Sequence, residues 1–289
     1  MTPTHSKVIL ITGCSSGFGM LAAARFASQG HRVIATMRDL NRQGILISEL
    51  KERGTEADIL QLDVMDPASI SNVMRHIGDR YGHIDVLINN AGIAIGGTFE
   101  DLTQDEIRLV METNFFGVQN VTRAVIPFMR SQKGGKIICL SSVSGLYGSP
   151  GFGAYNASKW ALEGFCESLS YELKFFNIDV VLVEPGAYKT KIFTENTRYA
   201  THFDNPKSPY YEMSQFLKER VDAGVRDNHR DPEDVPRVLE RIIKTKHPKL
   251  RYTTEVEGKV VLLLKKLLPF RLFSYLYSKV LFKGYKHGC

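Results

Sequence analysis

The sequence has little cysteine and no long apolar segment, and these absences exclude several classes of protein. Its 4 cysteines match no spacing of metal ligands and no disulfide framework, so we expect no metal site and a reducing, cytoplasmic location. The longest apolar runs, such as 260–264, have about 5 residues, whereas roughly 20 are needed to cross a bilayer. No basic segment with a long apolar segment precedes Val8, so we expect no secretory signal.

Acidic residues are missing from the end of the chain, and this absence accounts for its net charge of +6. Between Lys259 and Cys289 there are 7 basic residues and no Asp or Glu. The preceding 258 residues carry 30 basic and 31 acidic residues. A protein that binds nucleic acid is expected to carry a basic face on its folded domain, and this composition predicts none.

Short aliphatic runs alternate with amphipathic stretches through most of the chain. Strands are predicted at 7–12, 31–36, 58–62, 84–88, 136–140, 179–183 and 250–253. Helices are predicted at 17–29, 45–53, 67–81, 103–112, 115–130, 154–176 and 231–244. Continuously apolar strands that alternate with helices favour a Rossmann-type, doubly wound α/β fold, with a mostly parallel seven-stranded sheet between two layers of helices.

This pattern indicates one catalytic domain over 1–256, followed by a basic amphipathic helical tail over 257–289. Within the domain, 191–230 loses the alternation and is expected to be a loop with a helix in it, placed as a lid over the substrate. The lid region is rich in aromatic residues: Phe193, Tyr199, Phe203, Tyr210, Tyr211 and Phe216. Such residues suit an apolar ligand, although they can equally pack on their own domain.

The first predicted strand leads directly into a glycine-rich turn. Gly13, Gly17 and Gly19 separate this strand from the following helix, and Ser15 and Ser16 lie between them. Without side chains, the backbone N–H groups and the helix N-terminus can approach a pyrophosphate. The turn therefore predicts a dinucleotide site; the alternative is a tight strand-to-helix turn without a ligand.

The end of the second strand bears on which dinucleotide binds. In such folds an acidic residue here binds the ribose of NAD, whereas a basic residue favours the 2′-phosphate of NADP. The chain has Arg38 two residues after Thr36, so NADP(H) is favoured over NAD(H). Asp39 could pair with Arg38 and weaken this site, or it could cap the next helix together with Asn41.

Two more segments follow predicted strands and are expected at the same sheet edge. Asp63 and Val64 follow the third strand, where the carboxylate could bind adenine or simply cap a helix. Asn90, Ala91 and Gly92 follow the fourth strand and bring an amide and small residues to the edge where ligands of open α/β sheets bind.

Four polar residues form a candidate catalytic group. Tyr155 and Lys159 are four residues apart at the start of a long predicted helix and share one face. Ser142 follows the fifth strand, and Asn114 lies at the mouth of another helix, from which it could reach Lys159 through water. A neighbouring ammonium lowers the pKa of a phenol from about 10 toward neutrality. The alternative is an ordinary Tyr–Lys pair on a solvated helix face.

Taken together, these motifs resemble the short-chain dehydrogenase/reductase family. The matching residues run in the family's order over about 180 residues: Thr12–Gly19, Asp63, Asn89–Gly92, Asn114, Ser142, Tyr155–Lys159, and Pro185-Gly186 followed by Thr190. The resemblance implies hydride transfer between a nicotinamide and an alcohol or carbonyl carbon. In this scheme Tyr155 is the acid/base, Ser142 orients the substrate oxygen, and Lys159 binds the ribose and lowers the pKa of Tyr155. Asn114 completes the proton relay.

The same resemblance implies the residues that bind the cofactor. They are Gly13, Ser15, Ser16, Gly17, Phe18, Gly19, Arg38, Asp63, Val64, Asn90, Ala91, Gly92, Tyr155, Lys159, Pro185, Gly186, Tyr188 and Thr190. Four segments are similar to a narrower group, the estradiol and retinol dehydrogenases: TGCSSG, ATMRDL, ASKWALEGFCESL and KLRY. In that group the match to Arg38 implies NADP. No histidine in 191–230 aligns with the one that holds a steroid's distal hydroxyl, so a lipophilic alcohol or ketone in general is expected.

Two other functions stay open: a nucleotide-sensing protein without turnover, and an enzyme of the same family that acts on a small polar carbonyl with NAD(H). The family also implies a homodimer, or a tetramer, through the helices at 115–130 and 154–176. The tail combines apolar residues at helical spacing with cations and no anions. This pattern predicts peripheral contact with a membrane; the alternative is a pair of helices that covers the substrate entrance or a partner subunit.

Overall fold

All seven predicted strands lie in one parallel sheet. The computed structural model describes residues 6–188 and 198–285. The strands are β1 (Val8–Ile11), β2 (Arg32–Met37), β3 (Asp58–Gln61), β4 (Val86–Asn89), β6 (Gly135–Leu140), β7 (Ile178–Glu184) and β9 (Arg251–Thr253). Their order is β3-β2-β1-β4-β6-β7-β9, and each neighbouring pair is parallel. The predicted Rossmann-type fold is confirmed.

Helices cover both faces of the sheet because its strands are apolar on both sides. They are α1 (Gly17–Ser28), α2 (Gly44–Glu52), α3 (Pro67–Arg80), α4 (Gln104–Met111), α5 (Gly117–Ser131), α6 (Gly153–Leu173), α7 (Tyr211–Arg226) and α8 (Asp234–Lys244). Along β1 the side chains alternate between the faces: Leu10 packs in the core with α3, α5 and α6, while Ile9 and Ile11 pack in the core with α1, α2 and α8.

The site edge of the sheet follows from its topology. β1 lies between β2 and β4 at the centre of the sheet, so the chain connections diverge on either side of it. A crevice forms at such a point, outside the carboxyl ends of the strands. The turn after β1 opens this crevice, with Gly13 at φ +75° and Gly17 at φ +60°, both in the left-handed region.

The helices predicted at 103–112 and 115–130 form one continuous helix with a widened turn. α4 begins at a capping box in which Thr103 and Glu106 each bind the other's backbone N–H. A π-helical turn, Glu112–Phe116, then joins α4 to α5. Such a turn takes one more residue than an α-helical turn, and it contains Asn114.

Two short strands that the sequence did not predict connect the lid region to the domain. β5 (Ile95–Gly96) pairs in parallel with β8 (Arg198–Tyr199). Each has two residues, too few to show a periodicity. The rings of Tyr199 and Phe203 lie 4.4 Å apart between centroids, tilted by 41°, and both residues pack with Ile95. Of the predicted lid and cofactor residues, Phe193 and Thr190 lie outside the described residues.

The end of the chain forms two helices, α9 (Val256–Leu267) and α10 (Phe270–Leu281), separated by Pro269. Among the helices within 6–188 and 198–285, none has both the length and the apolar character that a membrane span requires.

Candidate active site

A cavity of about 500 Å³ lies at the carboxyl ends of the central strands. The predicted residues that line it are Gly13, Ser15, Ser16, Gly17, Phe18, Arg38, Asp63, Val64, Asn90, Ala91, Gly92, Ser142, Tyr155, Lys159, Pro185 and Gly186. They come from separate parts of the sequence and meet because each follows a strand whose end lies at this edge.

The walls of the cavity are close-packed around the glycine turn. The Asn90 side-chain amide donates hydrogen bonds to the carbonyls of Thr12 at 2.8 Å and Gly13 at 2.9 Å. A Cβ at Gly13 would lie 2.8 Å from the Ala91 Cα, and a Cβ at Gly19 would overlap the Asn90 amide. Gly19, predicted as a cofactor contact, is not part of the lining. Its missing side chain leaves room for the Asn90 amide, which hydrogen-bonds the turn after β1 to the turn after β4.

Three arginines line the cavity, and two of them follow β2 in the chain. Arg38 is exposed directly after this strand and lines the cavity. The Asp39 carboxylate accepts a hydrogen bond from the Asn41 backbone at 3.0 Å, which is the capping role considered for it. Arg42 and Arg198 also line the cavity, and the sequence indicated neither. Arg42 follows Arg38 by four residues, and this second basic residue after β2 was the signal available in the sequence. Arg198 lies far away in the chain and reaches the cavity because β8 pairs with β5.

Asp63 shapes its own turn as well as lining the cavity. Its Oδ1 accepts a hydrogen bond from the Met65 backbone at 2.9 Å, and its own N–H donates to the Ser69 hydroxyl. The N-cap of α3 is Asp66, which accepts from the Ala68 backbone at 2.9 Å. Asp63 is thus not the helix cap that was one of its two expected roles.

Ser142 and Tyr155 meet in the wall of the cavity. The Ser142 hydroxyl accepts a hydrogen bond from the Ser144 backbone at 3.1 Å and donates one to the Pro185 carbonyl at 3.5 Å. Burial raises the pKa of Tyr155 to about 12, and the nearby Ser142 hydroxyl opposes this rise. The phenol therefore carries its proton at neutral pH.

The position of Lys159 corrects one expectation from the sequence. The side chain lies one helical turn from Tyr155, and its Nζ is 5.6 Å from the centroid of the phenol ring. The ammonium donates its hydrogen bond to the Leu140 carbonyl at 2.7 Å, at the end of β6. Burial raises the pKa of Tyr155, which Lys159 was expected to lower, and burial also lowers the pKa of Lys159 from 10.5 to about 8.

Asn114 is completely buried behind the cavity. Its amide nitrogen donates to the Ile93 carbonyl at 2.9 Å and the Ser158 hydroxyl at 3.0 Å, and its oxygen accepts from the Ile93 backbone at 2.8 Å. A Cβ at Gly92 would lie 3.2 Å from the Asn114 oxygen and 3.9 Å from the Lys159 nitrogen. Asn114 and Lys159 therefore flank Gly92, with Asn114 outside the lining itself.

Tyr188, predicted as a cofactor contact, supports the cavity from behind. Its side chain is buried, its hydroxyl donates to the Thr254 hydroxyl at 3.0 Å, and its ring meets the Phe18 ring edge-on at 5.4 Å. Phe18 lines the cavity and Tyr188 does not.

The residues present fit a nicotinamide dinucleotide. A backbone turn that is free of side chains faces the cavity at the N-terminus of α1, as pyrophosphate binding requires. Exposed Arg38 lies beside the end of β2, while the buried phenol of Tyr155 and ammonium of Lys159 occupy another part of the wall. The set combines anion-binding donors with a proton donor in one cavity.

Comparison with known proteins gives the same picture. The family model for short chain dehydrogenase matches residues 7–200. Retinol dehydrogenase 8 from Bos taurus is 35% identical over 270 residues, which cover 91% of this chain and 86% of that protein. Human 17-beta-hydroxysteroid dehydrogenase type 1 is 34% identical over 257 residues, which cover 86% of this chain and 77% of that protein. A short chain dehydrogenase/reductase from Burkholderia phymatum, solved in complex with NAD, has a TM-score of 0.79 at 25% identity and covers 92% of this chain and 95% of its own.

Proposed function

Because the chain belongs to the short-chain dehydrogenase family, and is therefore an NAD(P)-dependent oxidoreductase, we propose that it interconverts a hydrophobic alcohol and its ketone or aldehyde with NADP(H). The observation that carries this proposal is the buried Tyr155 phenol, which lines the same cavity as Ser142 and Lys159. A protein that only sensed the nucleotide would have no need of this proton donor.

The chain's own residues supply the proton chemistry. When bound, the nicotinamide supplies or accepts the hydride. In the direction of reduction, Tyr155 gives its proton to the carbonyl oxygen of the substrate, and Ser142 holds that oxygen through its hydroxyl. In the direction of oxidation, Tyr155 must first lose its proton and then takes one from the alcohol. Lys159 adds a positive charge beside the reacting groups, which favours the phenolate that forms when Tyr155 gives up its proton.

The preference for NADP(H) is supported by the charges next to β2. Arg38 and Arg42 both line the cavity there, and the carboxylate of Asp39 is used to cap the following turn. Arginine binds phosphate through several N–H donors, which suits a 2′-phosphate. Use of NAD(H) with a small polar carbonyl is the alternative, and relative turnover with the two cofactors distinguishes them.

The hydrophobic substrate is supported by relatives named for retinol and a hydroxysteroid, and by the apolar cluster around β5 and β8. The rings of Tyr199 and Phe203 belong to this cluster, and Arg198, the neighbour of Tyr199, reaches the cavity lining. Steroid-, retinoid- and long-chain lipid-like carbonyls are the candidates.

A turnover panel tests the proposal. Purified protein is incubated with NADPH or NADH and with steroid, retinoid and long-chain carbonyls, and the loss of cofactor absorbance is followed. Tyr155→Phe should bind NADPH normally and lose turnover by about a hundredfold or more, because it removes the proton donor. Tyr171→Phe is the matched control on the exposed side of α6. Normal turnover by Tyr155→Phe would refute the mechanism.

The remaining expectations are proposed with the same function. We place catalysis in 1–256 and a separate role in 257–289. We also propose that α5 and α6 form a homodimer, or a tetramer, together with the exposed Phe116 at the end of the turn before α5. The stripe of Leu162, Cys166 and Leu169 on α6 faces the sheet and is not available to a partner. Light scattering measures the assembly.

Buried free thiols, including Cys14 and Cys139, support a reducing, cytoplasmic location.

A further inference from the structure

The two C-terminal helices rest on the segment that immediately follows Ser142. In α10, buried Phe273 stacks on Tyr277 at 5.3 Å, and Tyr277 meets the ring of Tyr147 edge-on at 5.9 Å. At the end of this helix, the guanidinium of Arg220 in α7 donates to the carbonyl of Lys283 at 3.2 Å. One side of α10 is therefore fixed to the domain.

α9 is held on the same segment. The Lys265 ammonium donates to the Leu146 carbonyl at 2.7 Å and lies 4.2 Å above the ring of Trp160 in α6. Near the start of the helix, Gly258 lies so close to Val143 that a Cβ there would be 2.7 Å from a Val143 methyl carbon. Both helices thus contact 143–147, next to the candidate catalytic serine.

The side of α9 opposite these contacts is apolar and exposed, and α10 also carries exposed apolar residues. The exposed apolar residues are Val256, Val260, Leu263, Leu264 and Leu267 in α9, and Phe270, Leu272, Tyr275, Leu276 and Val280 in α10. In α9 they recur every three or four residues, which places them on one face of the helix. Leu267 and Phe270, on either side of Pro269, keep 69% and 73% of their surface exposed. We call these ten residues the tail face.

The charge around the tail face indicates what covers it. Lys266, Arg271 and Lys279 are exposed among its apolar residues, and the chain from Lys259 onward contains no acidic residue. Lys279 also lies 4.5 Å above the ring of Tyr275. A second copy of this face would bring cations against cations, whereas an anionic lipid surface offers phosphates to the lysines and acyl chains to the leucines.

We propose that the tail face docks on an anionic lipid bilayer, with α9 and α10 lying in the interface. Docking would place α9 and α10 between the lipid and 143–147, and so would turn the side of the cavity that carries Ser142 toward the membrane. A lipophilic substrate could then pass from the bilayer to the cavity without crossing water; this second step rests on the proposed function.

Sedimentation with vesicles tests the docking. The full chain is mixed with vesicles of phosphatidylcholine alone or with phosphatidylglycerol, at low and high salt, without cofactor or substrate. We expect binding to the anionic vesicles that weakens with salt. Leu267→Glu combined with Phe270→Glu should lower the partition coefficient more than tenfold, since it removes two large apolar groups and adds two anions. Phe99→Glu combined with Phe175→Glu makes the same change at residues that are 82% and 88% exposed elsewhere.

Two outcomes would overturn the docking proposal. Equal binding by the two double variants would show that the tail face does not contact the lipid. Absence of vesicle binding, together with a smaller assembly of Leu267→Glu/Phe270→Glu in light scattering, would show that the face joins copies of the chain.

Enzyme assays separate this proposal from the proposed function. With a ketone dissolved in vesicles, Leu267→Glu/Phe270→Glu should be slower than the native chain in proportion to its lost binding. With a water-soluble ketone the two should be equal, which also shows that the variant is folded. Equal rates on the vesicle ketone would refute delivery from the bilayer. If the native chain reduced no carbonyl at all, the proposed function would fail while the sedimentation result would stand.

Discussion

Replacing Lys159 by methionine should stabilise the protein while it removes activity. Burial lowers the pKa of Lys159 from 10.5 to about 8, so holding the ammonium inside the folded protein has a free-energy cost. At about 1.4 kcal/mol for each pKa unit, that cost is about 3 kcal/mol at neutral pH. Methionine has a similar length and no charge, but it leaves the Leu140 carbonyl without its hydrogen bond, which costs about 1–2 kcal/mol. The net gain should be about 1–2 kcal/mol.

The pH dependence of this gain is the sharper test. Below about pH 8 the lysine is charged in both the folded and the unfolded protein, and the full cost applies. Between pH 8 and 10.5 only the unfolded lysine is charged, so the cost falls as the pH rises. The advantage of Lys159→Met should therefore shrink by about 2 kcal/mol between pH 7 and pH 9.5, because the lost hydrogen bond does not titrate.

Urea denaturation of the native chain and the variant at both pH values measures the effect. Comparing the two chains at each pH cancels the titration of the groups that the substitution leaves unchanged. Lys51→Met, at an exposed position in α2, is the matched control for the loss of a lysine that is not buried. A difference for Lys159→Met that stayed constant with pH, or grew with it, would refute the idea that burial of this charge costs stability.

Three further changes follow from the structure. Arg38→Asp should shift the preference from NADPH toward NADH by about ten- to a hundredfold in the ratio of kcat/KM, and an unchanged ratio would show that Arg38 does not contact the 2′-phosphate. Gly186→Ala should lower the free energy of unfolding by about 1–3 kcal/mol, because its Cβ would overlap the buried Glu255 carboxylate. Gly164→Ala is the control: a Cβ there has no neighbour within 4 Å, so this variant should be neutral or stabilising in the same urea titration. Burial raises the pKa of Glu184 from 4.5 to about 7, so its charged carboxylate destabilises the fold most above pH 7. Glu184→Gln should therefore be more stable than the native chain at pH 8 and should lose most of that advantage at pH 5. A stability difference that did not change with pH would contradict this.

The sheet could be predicted from the sequence because its strands are continuous apolar runs, as in KVILIT before Gly13 and KIICL before Ser142. The sheet edge then follows, since parallel strands that alternate with helices bring their carboxyl ends together. This is why glycine, asparagine, serine and tyrosine motifs that are far apart in the chain could be assigned to one cavity.

Other features depend on contacts that no local pattern carries. β5 and β8 have two residues each, and they bring Arg198 into the cavity across about a hundred residues of chain. The direction of the Lys159 ammonium depends on the Leu140 carbonyl, and the pKa of Tyr155 depends on how completely the phenol is buried. A sequence can place these groups on neighbouring elements, but the balance between burial and attraction depends on how the folded chain packs around them.

The widened turn at Glu112–Phe116 has a consequence for the length of the chain. A residue added to a helix rotates everything beyond it by about 100° relative to everything before it. With this rotation Val110 packs in the cluster around β5 and β8, while Val118 packs beneath the central sheet. Deleting any one residue of the turn would make the helix regular and would set these two packing surfaces out of phase. Packing therefore requires a fixed number of residues between Val110 and Val118, and it restricts the types of most of those residues less strictly.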